Sequence, residues 1–598
     1  AERVWEPDLP GDLAAAGVRY LPLDDTQLHQ VGLPPERVRG GFETESAGAL
    51  VRVFPAMMSL RYRIPYAPPE EAAAFVADPF PGGGGGLAVY ADDGEKFGVW
   101  PGTHRLVYEE RWLERFLAAL PADGERFAAT TFAREMQRRA EGLVYLPAGS
   151  YAEMGSWALP PEMQEAHARA RERLAEQEMG READLFVRGG FWRGFFARYP
   201  ESSWMHLRVD EALRRCREPL EGAGRTALRA AREHLWRAQC NCAYWHGVFG
   251  GLYLSHLRAG IYRELIRGEA LMARARRGDR PWVDAREADL DGDGEPEVVL
   301  ENEAVALFVD PGEGGRLIEW DDRASAMNLV NTLARRPEAY HRRLREEAAE
   351  SPGQEARTIH GSIRAREPGL IEWLLYDAEG RAGLVDRFFA ERPAAEALRR
   401  GALSDGCPQG ACGVELEREA GETRLRLSRE VEAPGASGGR LSVEKLILLR
   451  AGERGFRVRW RYRNESEAPL AVWAGSEQHI NLLAGSAPDR WVELDGRAST
   501  RRSLSAQEDA RPIRSVALVD EWLGISVLLR FDRPVELARY PVETVSLSES
   551  GAERNYQGSA FIFMIRIELA PGAETGLELE AEVRSGLPGG GAGEGEGA

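Results

Sequence analysis

The sequence predicts a multidomain protein of the α/β plus all-β class, with an α/β region, a helical segment and then a large antiparallel β-sandwich. Three observations predict this order. In residues 1–104, short apolar runs end in acidic loops and alternate with a helical stretch. In residues 105–278, apolar residues recur every three or four positions. In residues 279–585, short β-branched or leucine-rich runs alternate with Gly and Pro turns. Residues 586–598, rich in Gly, Ala and Glu, predict a flexible tail.

The first region is interpreted as a set of βα units. Strands are predicted at residues 17–23, 50–54 and 87–90, and a helix at residues 69–76. In βα barrels the loops that follow the strands build the active site. Acidic residues just beyond a strand end, such as Asp92 and Asp93, are therefore better catalytic candidates than acids elsewhere in the chain.

The periodicity also predicts the later elements. Helices are predicted at residues 124–141, 161–186, 205–220, 225–244 and 252–274. Strands are predicted at residues 304–309, 425–432, 441–449, 456–462, 516–519, 525–530 and 561–569. We expect the helices to buttress the strand-rich first region.

Composition narrows the range of partners. The chain has 598 residues, 43% of them apolar and 29% charged, and a formal net charge of −19. No apolar run approaches the roughly 18 residues of a membrane helix, so we expect no membrane partner. A net negative charge repels phosphate backbones, which disfavours nucleic acid, whereas a neutral sugar is indifferent to it. Five cysteines are too few for a disulfide scaffold and favour a cytoplasmic location.

The most informative stretch is residues 92–103, which begins with two adjacent acids at a predicted strand end. It also contains a basic neighbour, Lys96, glycines that allow close approach, and Trp100, whose flat ring suits a sugar face. Lys96 and Lys445 are the only lysines in an arginine-rich chain. Taken alone, an Asp-Asp-Gly turn is common in a chain with 96 acidic residues and is more often structural than catalytic.

Several stretches together resemble glycoside hydrolase family 57, in particular its 4-α-glucanotransferase and α-amylase-like branch. They are DDGEKFGVW at 92–100, ERVWEP at 2–7 and QCNCAYWHGVFGG at 239–251, with supporting matches LRYRIPY at 60–66 and RYPESSWMH at 198–206. The resemblance implies that Glu2 is the nucleophile and Asp93 the acid/base. It also implies an incomplete (β/α)7 barrel, with residues 1–104 as its C-terminal part and residues 105–278 completing the catalytic domain.

The sequence departs from the family pattern in two ways. Cys242 stands where members commonly carry Asp, in a loop that the resemblance places along the cleft. The first two family motifs, including a His-Gln-Pro, would precede residue 1, and the chain begins without Met. The resemblance therefore implies a chain truncated at its N-terminus.

Two carboxylates are the chemistry that a retaining glycosidic reaction needs. When they lie about 5–5.5 Å apart, one attacks the anomeric carbon and the other protonates the departing oxygen. The acid, Asp93, must hold its proton near neutral pH, which the negative charge of a nearby Glu2 favours. The choice between water and a second glucan as acceptor depends on the surrounding subsites, so hydrolysis and transfer both stay open.

Further cleft residues follow from the same motifs. Trp5, Trp100 and Trp245 each accompany a motif and are predicted to stack on glucose rings, against the alternative of core packing. His246 is a candidate donor to a sugar hydroxyl or a structural residue. Glu95 and Lys96 are predicted to orient Asp93 as a supporting pair, or else to form an exposed ion pair.

A second signal is the acidic stretch DLDGDGEPE at 289–297, which predicts a calcium loop. The predicted ligands are the side chains of Asp289, Asp291 and Asp293, the carbonyl of Glu295, and the Glu297 carboxylate that closes the site. Position twelve of the loop is Leu300 rather than the Glu of an EF-hand, so a β-associated variant is expected. We expect structural Ca²⁺ here, against the alternative of a plain acidic turn.

The expected function is that of a 4-α-glucanotransferase acting on α-1,4-glucans or maltooligosaccharides as donor and acceptor. The alternatives are an α-amylase that hydrolyses the same chains, or a non-catalytic glucan-binding fragment. Neither the transferase reaction nor the hydrolase reaction needs an organic cofactor. The sequence is also compatible with a homodimer.

Overall fold

The computed structural model describes residues 2–80, 85–121, 127–218, 223–350, 366–401, 410–436, 438–548 and 551–586. The predicted tail lies outside the described residues from 587 onward. No helix in the described ranges is both long enough and apolar enough to cross a membrane.

The N-terminal region contains a three-stranded sheet with the order β1-β3-β2, in which β1 runs parallel to β3 and β2 antiparallel to it. The strands are β1 (Tyr20–Asp24), β2 (Phe42–Ser46) and β3 (Ala49–Ala56). The accompanying helices are α1 (Leu9–Ala15), α2 (Asp25–His29), α3 (Met58–Arg63) and α4 (Pro69–Ala77). The strand predicted at 87–90 is reduced to one parallel bridge between Val89 and Ala56. The incomplete (β/α)7 barrel stays a prediction, because a three-stranded sheet does not close one.

The predicted helical segment is confirmed over most of its length. Its helices are α5 (Trp112–Ala119), α6 (Phe132–Glu135), α7 (Ala152–Trp157), α8 (Pro161–Glu176), α9 (Gly180–Phe186), α10 (Gly194–Arg198), α11 (Pro200–Cys216), α12 (Ala223–Arg237) and α13 (Ser255–Arg277). Apolar faces of α11, α12 and α13 share one core. The helix predicted at 124–141 is wrong for its described part, where only α6 forms. The Thr131 side chain accepts from the Arg134 N–H and so starts that helix late.

The C-terminal half is antiparallel, as predicted. A five-stranded sheet runs in chain order through β4 (Val283–Ala288), β5 (Glu297–Asn302), β6 (Val305–Asp310), β7 (Arg316–Asp322) and β8 (Met327–Asn328). Within the described residues a second sheet joins twelve strands and shares one apolar core with the first. They are β9 (Val385–Phe389), β10 (Gly413–Glu419), β11 (Glu422–Glu432), β12 (Arg440–Arg450), β13 (Gly455–Asn464), β14 (Leu470–Ile480), β15 (Arg490–Leu494), β16 (Arg497–Arg502), β17 (Glu508–Asp520), β18 (Ile525–Ser548), β19 (Gly551–Leu569) and β20 (Glu574–Ser585).

Two short helices, α14 (Ala339–Glu350) and α15 (Ala395–Arg399), lie in the connections of this half. The strands alternate buried and exposed side chains, and β12 buries Leu441, Val443, Ile447 and Leu449 on one face. Lys445 lies on the same face and is also buried. Its ammonium donates to the carbonyl oxygens of Gly314, Gly315 and Leu384 at 3.2, 2.9 and 2.7 Å.

A buried charge cluster joins the helical segment to the five-stranded sheet. The fully buried guanidinium of Arg208 in α11 pairs with Glu269 of α13 at 2.9 Å and with Glu319 of β7 at 3.2 Å, and it lies 3.9 Å from the Phe308 ring centroid. Burial opposes ionisation of Glu269, but the charge of Arg208 outweighs it and lowers the pKa of Glu269 to about 2. Arg208 and its two glutamates therefore hold the helical segment and the five-stranded sheet together. Each charge is stable in this buried position because the opposite charge is present.

We expect Arg208→Ala to destabilise the protein by about 3–5 kcal/mol, because it removes the buried cation that Glu269 and Glu319 share. The matched control is Arg267→Ala, which removes a half-exposed arginine 3.5 Å from Glu264 and should cost less than about 1 kcal/mol. Thermal and urea unfolding of both variants measure the difference. Equal melting of the two variants would contradict the role of Arg208.

The contribution of Glu269 to the stability of the fold should also depend on pH. The folded-state pKa of Glu269 lies below its ordinary value of 4.5, so its contribution to stability is present above pH 4.5. That contribution is lost as the pH falls from 4.5 towards 2, and Arg208→Ala should weaken this dependence.

Candidate active site

Asp92 is the buried member of the acidic pair, and Asp93 is the more accessible one. The Asp92 carboxylate is 1% exposed and lies 3.2 Å from Arg61 Nε and 2.5 Å from Lys96 Nζ. Its Oδ1 also accepts the backbone N–H of Asp93 at 2.9 Å. Asp93 is half-buried and begins the 3-10 turn Gly94–Phe97. Asp92 therefore fixes the backbone from which the Asp93 side chain projects.

The predicted pair of Glu95 and Lys96 is not formed. Glu95 is exposed, whereas the Lys96 ammonium is buried and donates to the Arg61 carbonyl at 2.8 Å as well as to Asp92. Burial lowers the pKa of Lys96, and the hydrogen bond with Asp92 counteracts the shift. Lys96 acts on Asp92, one residue before Asp93, because the tight turn carries its side chain back to the strand end.

Glu2 is held by two residues from the helical segment. The Tyr151 hydroxyl donates to Glu2 Oε2 at 3.4 Å, and the Asn241 amide donates to Glu2 Oε1 at 3.0 Å. The next residue, Arg3, has a positive φ of 50°, and its carbonyl accepts from the Gln27 amide at 3.1 Å. Each Glu2 carboxylate oxygen thus has its own donor, which fixes the plane of the group.

Arg61 connects the two acidic positions. Its guanidinium pairs with Asp92, lies 3.6 Å from Glu153, and lies 4.9 Å from the centroid of the Tyr151 ring. Burial raises the pKa of the Tyr151 hydroxyl and the charge of Glu2 adds to the effect, so Tyr151 stays a proton donor. A continuous set of contacts therefore runs from Glu2 through Tyr151 and Arg61 to Asp92.

Sequence reasoning did not identify the partners that complete this network. Arg61 lies in the stretch 60–66 and Asn241 in the stretch 239–251, but the sequence alone gives neither residue a role. Tyr151 and Glu153 lie outside every stretch that resembles the family. A half-buried carboxylate needs hydrogen-bond donors, so the sequence predicts that donors lie near these acids. It does not show which residues provide them.

The structure does not place Trp5 and His246 where a sugar could reach them. Trp5 is 1% exposed, packs in an apolar core, and donates its indole N–H to the Leu146 carbonyl at 3.1 Å. His246 is 2% exposed, with Nδ1 2.7 Å from the Gly250 carbonyl oxygen. A carbonyl only accepts, so Nδ1 carries the proton and Nε2 accepts from the Tyr340 hydroxyl at 3.0 Å. Burial lowers the pKa of His246 to about 4, so the ring is neutral and fully bonded inside the protein.

Trp100 and Trp245 keep the partial exposure that a stacking surface requires. The Trp100 ring lies 5.9 Å from the ring of Phe249, which is 40% exposed and belongs to the stretch 239–251. The Trp245 ring stacks on Trp157 at 6.0 Å. The Trp245 indole N–H is buried with no acceptor among the described residues. The fold thus brings Trp100 and Phe249, aromatic side chains of two different motifs, into contact.

The acidic loop at 289–297 brings three of its carboxylates together. Oxygen atoms of Asp289, Asp291 and Glu297 lie within 4.8 Å of one another, a donor set of hard oxygens that fits Ca²⁺. Asp293 accepts the Glu295 N–H at 2.8 Å and is not part of this group. Glu297 is buried, and burial raises its pKa to about 7, with the nearby Asp291 adding to the shift.

Three stretches that together span most of the chain match families or domains of known proteins. Residues 1–147 match glycosyl hydrolase family 57, residues 190–272 match the alpha-amylase/4-alpha-glucanotransferase middle domain, and residues 289–578 match the C-terminal domain of the same proteins. Alpha-amylase 1 of Dictyoglomus thermophilum is 34% identical over 580 residues, covering 96% of this chain and 80% of that protein.

A 4-alpha-glucanotransferase of Thermococcus litoralis is 32% identical over 594 residues, covering 98% of this chain and 81% of that protein. The crystal structure of the 4-alpha-glucanotransferase from Thermococcus litoralis superposes with a TM-score of 0.78 at 29% identity, over 97% of this chain and 80% of that one. The chain therefore belongs to glycosyl hydrolase family 57.

Proposed function

We propose that this protein is a 4-α-glucanotransferase that acts on α-1,4-glucans or maltooligosaccharides by a retaining double displacement. Glu2 is the proposed nucleophile and Asp93 the proposed acid/base. The observation that carries the proposal is the connected network in which Tyr151 and Asn241 hold Glu2 while Asp92 holds the backbone of Asp93. The names of the relatives, 4-alpha-glucanotransferase and alpha-amylase, support the substrate class.

In the first step Glu2 attacks the anomeric carbon, and the proton of the Asp93 carboxyl passes to the departing glycosidic oxygen. The two hydrogen bonds to Glu2 support this role, because they fix the carboxylate before the sugar arrives. The first half of the glucan leaves with that proton, and the second half stays bound to Glu2 as a covalent ester.

In the second step Asp93, now ionised, takes the proton of an acceptor hydroxyl, and the acceptor oxygen displaces Glu2. An acceptor glucan competes with water when its ring has an apolar surface on which to stack. The half-exposed pair of Trp100 and Phe249 is suited to that purpose and favours transfer. We further propose that the sheet β1-β3-β2 belongs to the incomplete (β/α)7 barrel of the family.

Hydrolysis is the second candidate function. A relative named alpha-amylase and a relative named 4-alpha-glucanotransferase match this chain at 34% and 32% identity, so overall similarity does not separate the two reactions. Both reactions share the glycosyl-enzyme on Glu2 and differ only in the acceptor that resolves it.

Incubation with pure maltoheptaose should produce a ladder of products both longer and shorter than seven units, which chromatography or mass spectrometry resolves. The longer products form because a second maltoheptaose stacks as acceptor before water reaches the ester. Products that are only shorter would identify an amylase. An unchanged substrate would favour a non-catalytic glucan-binding protein.

Replacing either Glu2 or Asp93 should reduce turnover. The anomer of the product formed with azide should show which of the two carboxylates is the nucleophile. With α-glucosyl fluoride as donor, Glu2→Ala plus azide should yield the inverted β-azide, because azide attacks from the side of the missing carboxylate. Asp93→Ala plus azide should yield the retained α-azide, because azide then attacks the ester on Glu2. Without azide, Asp93→Asn should lower kcat on maltoheptaose by about 10²–10⁴-fold, the usual contribution of a general acid.

The matched control for both variants is Glu71→Gln, an exposed acid on α4 that should keep the parental rate. Undiminished turnover in Asp93→Asn, or the same azide anomer from both alanine variants, would refute the assigned roles.

We also propose that the acidic loop binds a structural Ca²⁺. Asp289, Asp291 and Glu297 converge their oxygens in the loop that leads into β5, and three carboxylates so close repel one another unless a cation neutralises them. The ion would fix the start of the five-stranded sheet and take no part in the chemistry at Glu2.

A chelator should therefore lower the melting temperature of the wild-type protein, and added Ca²⁺ should restore it. Binding stabilises the fold by about 2.7 kcal/mol when the free ion stands at about 100 times its Kd. Asp291→Ala should melt at the chelated temperature whether or not Ca²⁺ is present. Asp279→Asn, an exposed acid 2.7 Å from Arg274 and outside the loop, is the control that keeps the response. A wild-type melting temperature that ignores the chelator would disprove the site.

A further inference from the structure

Two exposed cysteines flank the residue that holds Glu2. Cys240 directly precedes the 3-10 turn Asn241–Tyr244, and Cys242 lies within it. The two thiols are separated by one residue of the chain and stand at the same end of this turn. Cys216, in contrast, is buried in the core of the helical segment, with its thiol 3.5 Å from the Leu228 carbonyl. Solvent oxidants can therefore reach Cys240 and Cys242 but not Cys216.

Asn241 connects these thiols to Glu2. Its amide donates to Glu2 Oε1 at 3.0 Å, and its own Oδ1 lies 3.7 Å from Cys242 Sγ. Partial desolvation raises the pKa of the Cys242 thiol, although the residue is exposed, and Cys240 and the charge of Glu2 raise it further. The raised pKa keeps more of Cys242 in the unreactive thiol form, so its reaction with an oxidant is slower than that of an ordinary cysteine.

The C-terminal end of the turn is fixed by two hydrogen bonds of Tyr244. The Tyr244 hydroxyl donates to the Ala238 carbonyl at 2.6 Å, and the Tyr244 carbonyl accepts from the Ser202 hydroxyl at 2.5 Å. A disulfide requires the two sulfur atoms to come within about 2.05 Å at a set dihedral angle. Because Tyr244 is fixed, the backbone rotation that closes such a bond falls on Cys240, Asn241 and Cys242.

We propose that Cys240 and Cys242 form a reversible disulfide that withdraws Asn241 from Glu2 and lowers turnover. The site of modification follows from the exposure of the two thiols and their closeness in one turn, whereas the loss of turnover rests on the proposed function of Glu2. Closure removes one of the two hydrogen bonds of the Glu2 carboxylate and leaves only the longer one from Tyr151.

The oxidant is a small-molecule disulfide such as oxidised glutathione. One cysteine thiolate attacks a sulfur of the oxidant, forms a mixed disulfide and releases one glutathione thiolate. The second cysteine thiolate then attacks the protein sulfur and releases the second glutathione. Two electrons pass from the cysteines to the oxidant, and the two thiol protons end on the two released glutathiones. A ring that spans a single residue is strained, so an ordinary dithiol reductant reopens it.

The experiment compares the full chain, the double variant Cys240→Ser/Cys242→Ser, and Cys216→Ser as a matched control. Each protein is treated with oxidised glutathione and then with dithiothreitol. In the wild type and in Cys216→Ser, peptide mass spectrometry should show a bond between residues 240 and 242. Turnover of maltoheptaose should fall by about tenfold to a hundredfold and return on reduction. The double variant should keep its own untreated rate under oxidant.

Two results would overturn the inference. One is the absence of a bond between Cys240 and Cys242 after oxidation, and the other is a bond that forms without slowing turnover. A crystal structure of the oxidised protein provides a readout that does not need activity, because the 3.0 Å contact between Asn241 Nδ2 and Glu2 Oε1 should be broken. If the reduced protein turns over no glucan, the proposed function fails, while mass spectrometry and that distance still decide the inference.

Discussion

The ion pair between Arg61 and Asp92 is the contact on which the candidate site depends. Asp92 fixes the backbone of Asp93, and the same guanidinium covers the Tyr151 ring, whose hydroxyl reaches Glu2. A buried cation is stable only when all its partners are in place, so the parts of this network support one another.

The helical segment forms the other half of the candidate site, and contacts with the C-terminal half of the chain hold it in place. It contributes Tyr151 and Asn241 to Glu2, and it contacts the sheets through buried charges. Glu338, which follows the five-stranded sheet, accepts from the hydroxyls of Tyr199 and Tyr253 at 2.8 and 2.6 Å and pairs with Arg198. His246 belongs to this support through Tyr340. The connection that follows the five-stranded sheet thus supports the helical segment that holds Glu2.

The two lysines show how a rare residue type can mark a structural need. Lys96 donates to a backbone carbonyl and to Asp92, and Lys445 donates to three carbonyl oxygens and pairs with Asp386 at 3.2 Å. An ammonium projects its donors in several directions from one point, which the planar guanidinium cannot do. Both positions are buried, and Lys96 contacts Asp92, the neighbour of the acid that it is predicted to orient.

The sequence by itself determined the order of the regions, many of the strands, the longest helices of the helical segment, and the short motifs with Glu2, Asp93 and the acidic loop. Those features are local, because hydrophobic periodicity and adjacent side chains express them within a few residues. Only the tertiary structure decided which side chains contact the acids: Trp5 and His246 are enclosed, whereas Tyr151 and Asn241 bind Glu2 and Arg61 pairs with Asp92. The reason is that burial and hydrogen-bond partners depend on residues far apart in the chain, such as Trp5 and Leu146 or Glu2 and Asn241.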